Sequence, residues 1–447
     1  MMHLKLSCLL ALSLVSFDCL PLPVIAQSVI QPPTSADLSL SEAFEKADQS
    51  NPQLLAARAN LPISRAGITI AGATPNPQIG FQYGFGSVYT AGGNPQQVQL
   101  TQTIELGGKR SARLGLANAQ YQLATVQLDT QRLGIRDQVR RAYAELAAAE
   151  GYAQALEEQT KLVQRLLLIA RKRFEAGAAP EADVLQAKLS RMQLEPQLKQ
   201  VQNRLRTDRI QLNALLGQSP QKGIDVKDKS LFDLSVQKTE LVPTLNAEFP
   251  PVDVLLARAY SKRLDLKTAQ QQQEVARKQL NLTKTQRMPD LQLTAGYVFS
   301  TYTNAQDIPL SLNGSQANGV FVGATVTVPL FYHQQGESAQ AQATIDQVSK
   351  QVEAQRQQVS ADVQTAYQSL ITALDNVRKY RSQLLPASRE VTALAQESYQ
   401  VGKTNLASAI VAEQADQQVR SGYLDTVTAY QNAYADLEKA VGEPLSF

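Results

Sequence analysis

The chain has 447 residues with no Trp, 6% aromatic residues and two Cys, too few large rings and thiols for several compact or disulfide-stapled cores. Lys+Arg 43 against Asp+Glu 40 leaves a net charge of +3, which argues against a charge-driven nucleic-acid binder. Hydrophobic content of 43% with 19% charged residues argues against wholesale disorder.

Residues 1–26 read as a secretory signal peptide: Lys5 precedes an apolar run from Leu6 to Phe17, and Val24-Ile25-Ala26 offers a small-residue exit. Asp18, Pro21 and Pro23 interrupt the run before the roughly 20 apolar residues of a spanning helix are reached. Both cysteines, Cys8 and Cys19, lie here, and Phe17 and Asp18 directly before Cys19 disfavour lipidation. A chain cut near Ala26 keeps no thiol and only His333 as an imidazole. There is no Gly-rich phosphate loop, HExxH or CxxC, and a Ser-His-Asp triad would have only His333, which reads as a polar interfacial residue in PLFYHQQGE. Neither an enzyme, a cofactor nor a strong metal site is expected.

The remaining chain repeats itself. VRRAYAEL from Val139 recurs as VQTAYQSL from Val363, Phe174 and Gly177 recur as Tyr399 and Gly402, and Gly217 recurs as Gly442. TQTIEL from Thr101 matches TVTVPL from Thr325, whereas Pro77 matches Pro289 at a shorter shift, which puts one insertion in the stretch around Asn304 to Asn318. The first repeat spans 27–217, with strands over about 77–106, a helical hairpin over 108–217 and its turn near 177–180. Residues 218–251 form a link rich in Pro and charge, and the second repeat spans 252–447, with strands over about 289–331, a hairpin over 335–442 and its turn near 402.

In the first strand Ile79, Phe81, Tyr83 and Phe85 share one face against Gln78, Gly80, Gln82 and Gly84; in the second, Val98, Leu100, Ile104 and Leu106 oppose Gln97, Gln99, Thr101, Thr103 and Glu105. The other repeat alternates with Leu291, Leu293, Ala295, Tyr297 and Phe299, then Val320, Val322, Ala324, Val326 and Val328. Runs of about ten residues suit tilted strands crossing a bilayer around a wet lumen, although a half-buried soluble sheet would alternate in the same way. The stretch 108–176 has no Pro and is rich in Ala, Leu, Gln, Glu and Arg, so it reads as one helix of roughly 100 Å. Residues 335–401 match it, interrupted only by Pro386. Leu146, Leu156, Val163, Leu167 and Ala170 recur at helical spacing, but Ala on other faces favours neighbours on both sides over a two-stranded coiled coil. Four strands cannot close a barrel alone, so two, three or four copies must share one.

The turn RFEAGAAPEADVL from Arg173, its partner SYQVGKTNLASAI from Ser398, and the ends ALLGQSP and KAVGEPL resemble the TolC-like outer-membrane efflux proteins over essentially the whole chain after the signal. TQTIELGGKR from Thr101 is most similar to the subgroup paired with cobalt-zinc-cadmium or copper exporters of the resistance-nodulation-division type. The resemblance implies an α+β membrane protein. Long helical hairpins would form an α-barrel tunnel in the periplasm, and four transmembrane strands per chain would form a 12-stranded barrel in a homotrimer. It implies a passive exit duct in the outer membrane of a Gram-negative envelope, working with a periplasmic adaptor and an inner-membrane pump on small molecules or metal ions. The outer-membrane component of type I protein secretion is the alternative within transport, and a secreted non-conducting coiled-coil scaffold the alternative outside it.

The same resemblance places adaptor docking at Arg173, Phe174, Gly177, Asp183, Val184 and Leu185, and at Tyr399, Gly402, Lys403 and Leu406 in the second turn. C-capping alone would also account for both glycines. Asp183 has Ser408 as its counterpart, so a charge contact there involves one turn only. Pro196 lies 16 residues after Pro180 and Pro386 lies 16 before Gly402, which suggests a common bending level for a gate. Arg389, Glu390 and Glu397 are candidates for a charged entrance, and Gly107, Gly108 and Pro329 for the strand-to-helix corners.

Overall fold

The computed structural model describes residues 36–83, 94–227, 231–232, 241–242, 249–301 and 319–445. The signal segment 1–26, Phe85 and the insertion at 304–318 lie outside them. In chain order the elements are β1 (Ala36–Leu38), α1 (Leu40–Ser50), α2 (Pro52–Gly72), β2 (Gln78–Tyr83), β3 (Asn94–Ile104), α3 (Lys109–Glu175) and α4 (Glu181–Leu215). There follow β4 (Ile224–Val226), α5 (Val252–Lys262), α6 (Leu264–Thr285), β5 (Leu291–Thr301) and β6 (Gly319–Val326). The chain ends with α7 (Gln335–Lys379), a π-helical turn (Tyr380–Leu384), α8 (Leu385–Gln400) and α9 (Leu406–Val441).

The four long strands form one antiparallel sheet in the order β2-β3-β5-β6. Its register pairs Ile79 with Leu100, Leu100 with Ala295 and Ala295 with Val322, so the apolar residues of all four strands share a face. Gln96 and Gln102 interrupt that face; Gln102 Nε2 donates to the Pro75 carbonyl at 3.0 Å. The opposite face presents Gln97, Gln99, Thr101, Gln292 and Thr294, and it carries no Asp, Glu, Lys or Arg among the described strand residues. β6 ends at Val326, short of the expected Val328, and no helix among the described residues is long and apolar enough to cross a membrane.

The helices are laid side by side. Near the sheet α3 packs between α2 and α6, with α7 on the far side of α6; away from it α3 packs between α4 and α9, and α9 also meets α7 and α8. Ala142, Ala147, Ala148 and Ala149 are buried on α3, and a Cβ on Gly151 would stand 2.8 Å from Leu424 Cδ2, so small residues set a close approach to α9. Leu146, Leu156, Val163 and Ala170 are buried, as their spacing predicted, and Leu167 is half-buried.

Residues 218–251 are more than a link. β4 pairs in parallel with β1, and Leu231, Phe232, Leu241 and Val242 join the core that contains Tyr143, Val363, Leu370 and Tyr423. Tyr143 donates its hydroxyl to the Leu38 carbonyl at 2.9 Å, which ties this belt to the middle of α3. The two prolines also differ. α4 runs unbroken through Pro196, whereas Pro386 follows the π-helical turn, in which the Leu385 N–H reaches back five residues to the Tyr380 carbonyl.

Candidate functional site: hairpin turns, entrance helix and strand-to-helix corner

Both hairpin turns close in the same way. Gly177 (φ +69°) and Gly402 (φ +81°) occupy left-handed positions, Ala178 N–H donates to the Arg173 carbonyl at 2.7 Å, and Lys403 N–H donates to the Ser398 carbonyl at 2.8 Å. These are glycine C-caps that satisfy the last carbonyls of α3 and α8. The next helices start differently: the Asn405 side chain accepts from Ser408 N–H at 3.0 Å, whereas Pro180 begins α4 without a side-chain cap.

Arg173 joins the two turns. Its Nη1 donates to the Tyr399 carbonyl at 2.6 Å, Nη2 donates to the Ala178 carbonyl at 3.3 Å, and its guanidinium lies 4.9 Å from the centre of the Tyr399 ring. Ser398 stands at the corresponding position of the second repeat, so one cation serves both tips. Tyr399 and Leu406 are fully buried beneath the tips and support the surface rather than forming it. Burial, and then the nearby Asp183 carboxylate, push the Tyr399 phenol above its ordinary range. Phe174, Gly177, Leu185, Gly402 and Lys403 are exposed, while Arg173, Asp183 and Val184 are half-buried.

On α8, Glu390 and Glu397 are exposed, but Arg389 turns inward and donates from Nη2 to the Phe232 carbonyl at 3.0 Å. A polar cluster that sequence reading missed lies between α3, α8 and α9. Asp416 accepts from the Ser388 hydroxyl at 2.6 Å and from Arg420 Nε at 2.7 Å, and Arg420 Nη1 donates to Glu158 at 2.6 Å. A cavity of about 270 Å³ opens beside them, lined also by Gln159, Arg389 and Glu413. Glu413 is 7% exposed; desolvation, and secondly the Asp416 charge, raise its carboxyl to about 7. Its signal in the sequence is the i, i+3, i+7 spacing of Glu413, Asp416 and Arg420 on α9, but only the neighbouring helices supply the burial. Among the described residues no group of three or more His, Cys, Asp or Glu could hold a metal ion.

At the first corner Gly107 (φ +72°) and Gly108 (φ +74°) let the chain leave β3 and enter α3. Met288 would stand 2.6 Å from a Cβ on Gly107. Lys109 pairs with Asp290 at 2.6 Å across the two repeats, and Arg113 forks onto Glu105 while donating to the Ala71 and Ala73 carbonyls at the end of α2. The second corner has no glycine: Pro329 lies in the irregular stretch after β6, followed by exposed Leu330, Phe331 and Tyr332, and His333 is exposed too.

The profile of the outer membrane efflux protein family matches residues 43–218 and 255–443. The cobalt-zinc-cadmium resistance protein CzcC of Cupriavidus metallidurans is 24% identical over 408 residues, 91% of this chain and 90% of CzcC. The outer membrane protein TolC of Vibrio cholerae is 24% identical over 79% of this chain and 80% of its own length. A crystal structure of CusC, described for its transmembrane channel formation, superimposes with a TM-score of 0.72 at 17% identity, covering 93% of this chain and 96% of CusC. The shared fold therefore includes the sheet and both hairpins.

Proposed function

Because the chain belongs to the outer membrane efflux protein family, we propose that three copies close into one conduit, with a 12-stranded barrel in the membrane and an α-barrel of paired hairpins below it. The chain is an outer-membrane efflux channel. The observation that carries the trimer reading is the sheet: β2 and β6 each have one free edge among the described residues, and the apolar face, with Ile79, Phe81, Val320 and Val322, is exposed in the single chain. An apolar strand face and two open edges are stable in lipid only when the edges meet those of further copies. The helical edges support the same ring, since α4 exposes Leu185, Leu189 and Met192 at i, i+4, i+7, and α8 exposes Val391 and Leu394, with Val401 exposed just beyond its end.

The two halves work as structural repeats of one strand pair and one hairpin each, with β4, Leu231, Phe232, Leu241 and Val242 packed into the core between them. Energy comes from an inner-membrane pump, and a periplasmic adaptor docks on the exposed turn residues Phe174, Gly177, Leu185, Gly402 and Lys403, with Arg173, Asp183 and Val184 at their margin. The cargo includes transition-metal cations, a reading supported by the likeness to CzcC and by a lumen face rich in Gln, Thr and Gly, with no Asp or Glu among the described strand residues. Mass by light scattering in detergent, with single-channel conductance in a planar bilayer, tests the conduit. Three chains per particle and discrete ionic currents are expected; a soluble monomer without current would overturn it.

A further inference from the structure

Two features at the helix-side end of the sheet have no occupant among the described residues. After β6 the chain exposes Leu330 (71%) and Phe331 (95%), in a stretch where the other repeat has Leu106 and Gly107. On the opposite edge of the same chain, a cavity of about 620 Å³ opens between the end of α2, the segment before β2, and α3. Ile70, Pro75, Leu116, Ala117 and Leu282 line it, and Ile70 is itself 74% exposed.

We propose that Phe331 of one copy fills the α2–α3 cavity of the next copy around the ring, as a repeated knob-and-pocket contact. This rests on the ring of copies proposed above. The sheet topology makes the two meet. β2 runs away from the helices, β3 returns, β5 runs away and β6 returns, so the last residues of β6 and the first of β2 lie at the same end. When β6 of one copy pairs antiparallel with β2 of the next, residues 328–332 come beside residues 73–77 and the end of α2 in that neighbour. The contact is heterologous and closes by rotation, and a buried aromatic anchor in a preformed pocket is the usual centre of such an interface. The Arg113–Glu105 pair lines the same cavity, which gives the apolar pocket a polar wall.

Two measurements on the purified protein beginning at Gln27, which lacks Cys8 and Cys19, test this, with light scattering as the control for the ring itself. Phe331→Cys combined with Ile70→Cys is expected to cross-link through a short bis-maleimide into dimers and trimers of the chain, while each single variant gives neither. The chain has no Trp, so Phe331→Trp introduces a unique fluorophore, expected to be shielded from both aqueous iodide and brominated lipid. Phe331→Ala should raise the dissociated fraction roughly tenfold, equivalent to about 1.4 kcal/mol per contact. Trimers that do not cross-link, or an indole signal from the Phe331→Trp variant that brominated lipid quenches, would place the ring in the membrane interface and overturn the contact while sparing the trimer. A monomeric mass would overturn both.

Discussion

Glu413 is a buried carboxylate that Arg420 compensates only in part. Asp416 is held by Ser388 and Arg420, and Glu158 by Arg420, while Arg389 on the facing helix is drawn off to the Phe232 carbonyl. Its folded-state carboxyl titrates at about 7, above the ordinary 4.5, so the folded protein binds this proton more tightly than the unfolded chain does. The sign follows: the contribution of Glu413 to stability is most favourable below about pH 4.5, falls as pH rises to about 7, and carries its full cost, on the order of 3 kcal/mol, above that window. Glu413→Gln removes the titrating group, so the difference in unfolding midpoint between pH 5 and pH 8 should shrink; an unchanged difference would assign the pH dependence to another group. Arg173 makes a second residue-level point. A side chain at Gly402 meets Arg173 Nη2 at 3.4 Å, whereas one at Gly177 meets nothing within 4 Å. Both glycines have positive φ, so Ala at either costs about 1 kcal/mol or more in backbone strain. Gly402→Leu should therefore disturb the Arg173 joint as well as strain its own turn, whereas Gly177→Leu should strain its turn without meeting a neighbouring side chain. Loss of efflux in Gly177→Leu with trimers intact is the expected result, and full efflux would remove the first turn from the docking surface.

The elements that sequence reading recovered are those with a long period. Alternation assigned faces correctly over the described strand residues that it covered, though not at Gln96 and Gln102, and the absence of Pro over 108–176 anticipated α3 to within a residue at each end. β1 and β4 escaped because a strand of three residues has no period to read, and the burial of Phe232 and Leu241 depends on helices far away in sequence. The prolines show the limit of counting residues. Pro196 and Pro386 are equally spaced from their turns, yet α4 absorbs the first without a break, while a five-residue π turn precedes the second. Tyr380 lies in that turn with its hydroxyl against Gly422 of α9, a contact that spacing does not reveal. Replacing Pro386 by Ala restores a backbone N–H and should let a regular helix run through the turn, changing channel conductance; Pro196→Ala should leave it as it was. Equal conductance in both variants would separate the π turn from gating.

At the scale of the molecule, the chain is asymmetric in a way its repeat conceals. α3 crosses from the sheet to the tips as one uninterrupted helix of 67 residues, whereas its counterpart is jointed at 380–384. Arg173, Phe331 and the glycine corner likewise have no equivalent in the other half. Self-comparison finds what the halves share; such differences need the fold, because their meaning lies in which neighbour each side chain reaches. The joint also has a mechanical reading. About 17 residues separate it from the second tip, a rigid arm of roughly 26 Å, so a tilt of roughly 10° at the joint would swing the tip by about 4–5 Å. Each chain thus has one continuous long helix and one that carries a π turn. Such a swing is about three times the rise per residue of a helix, so a small angular change at 380–384 is magnified at the second tip.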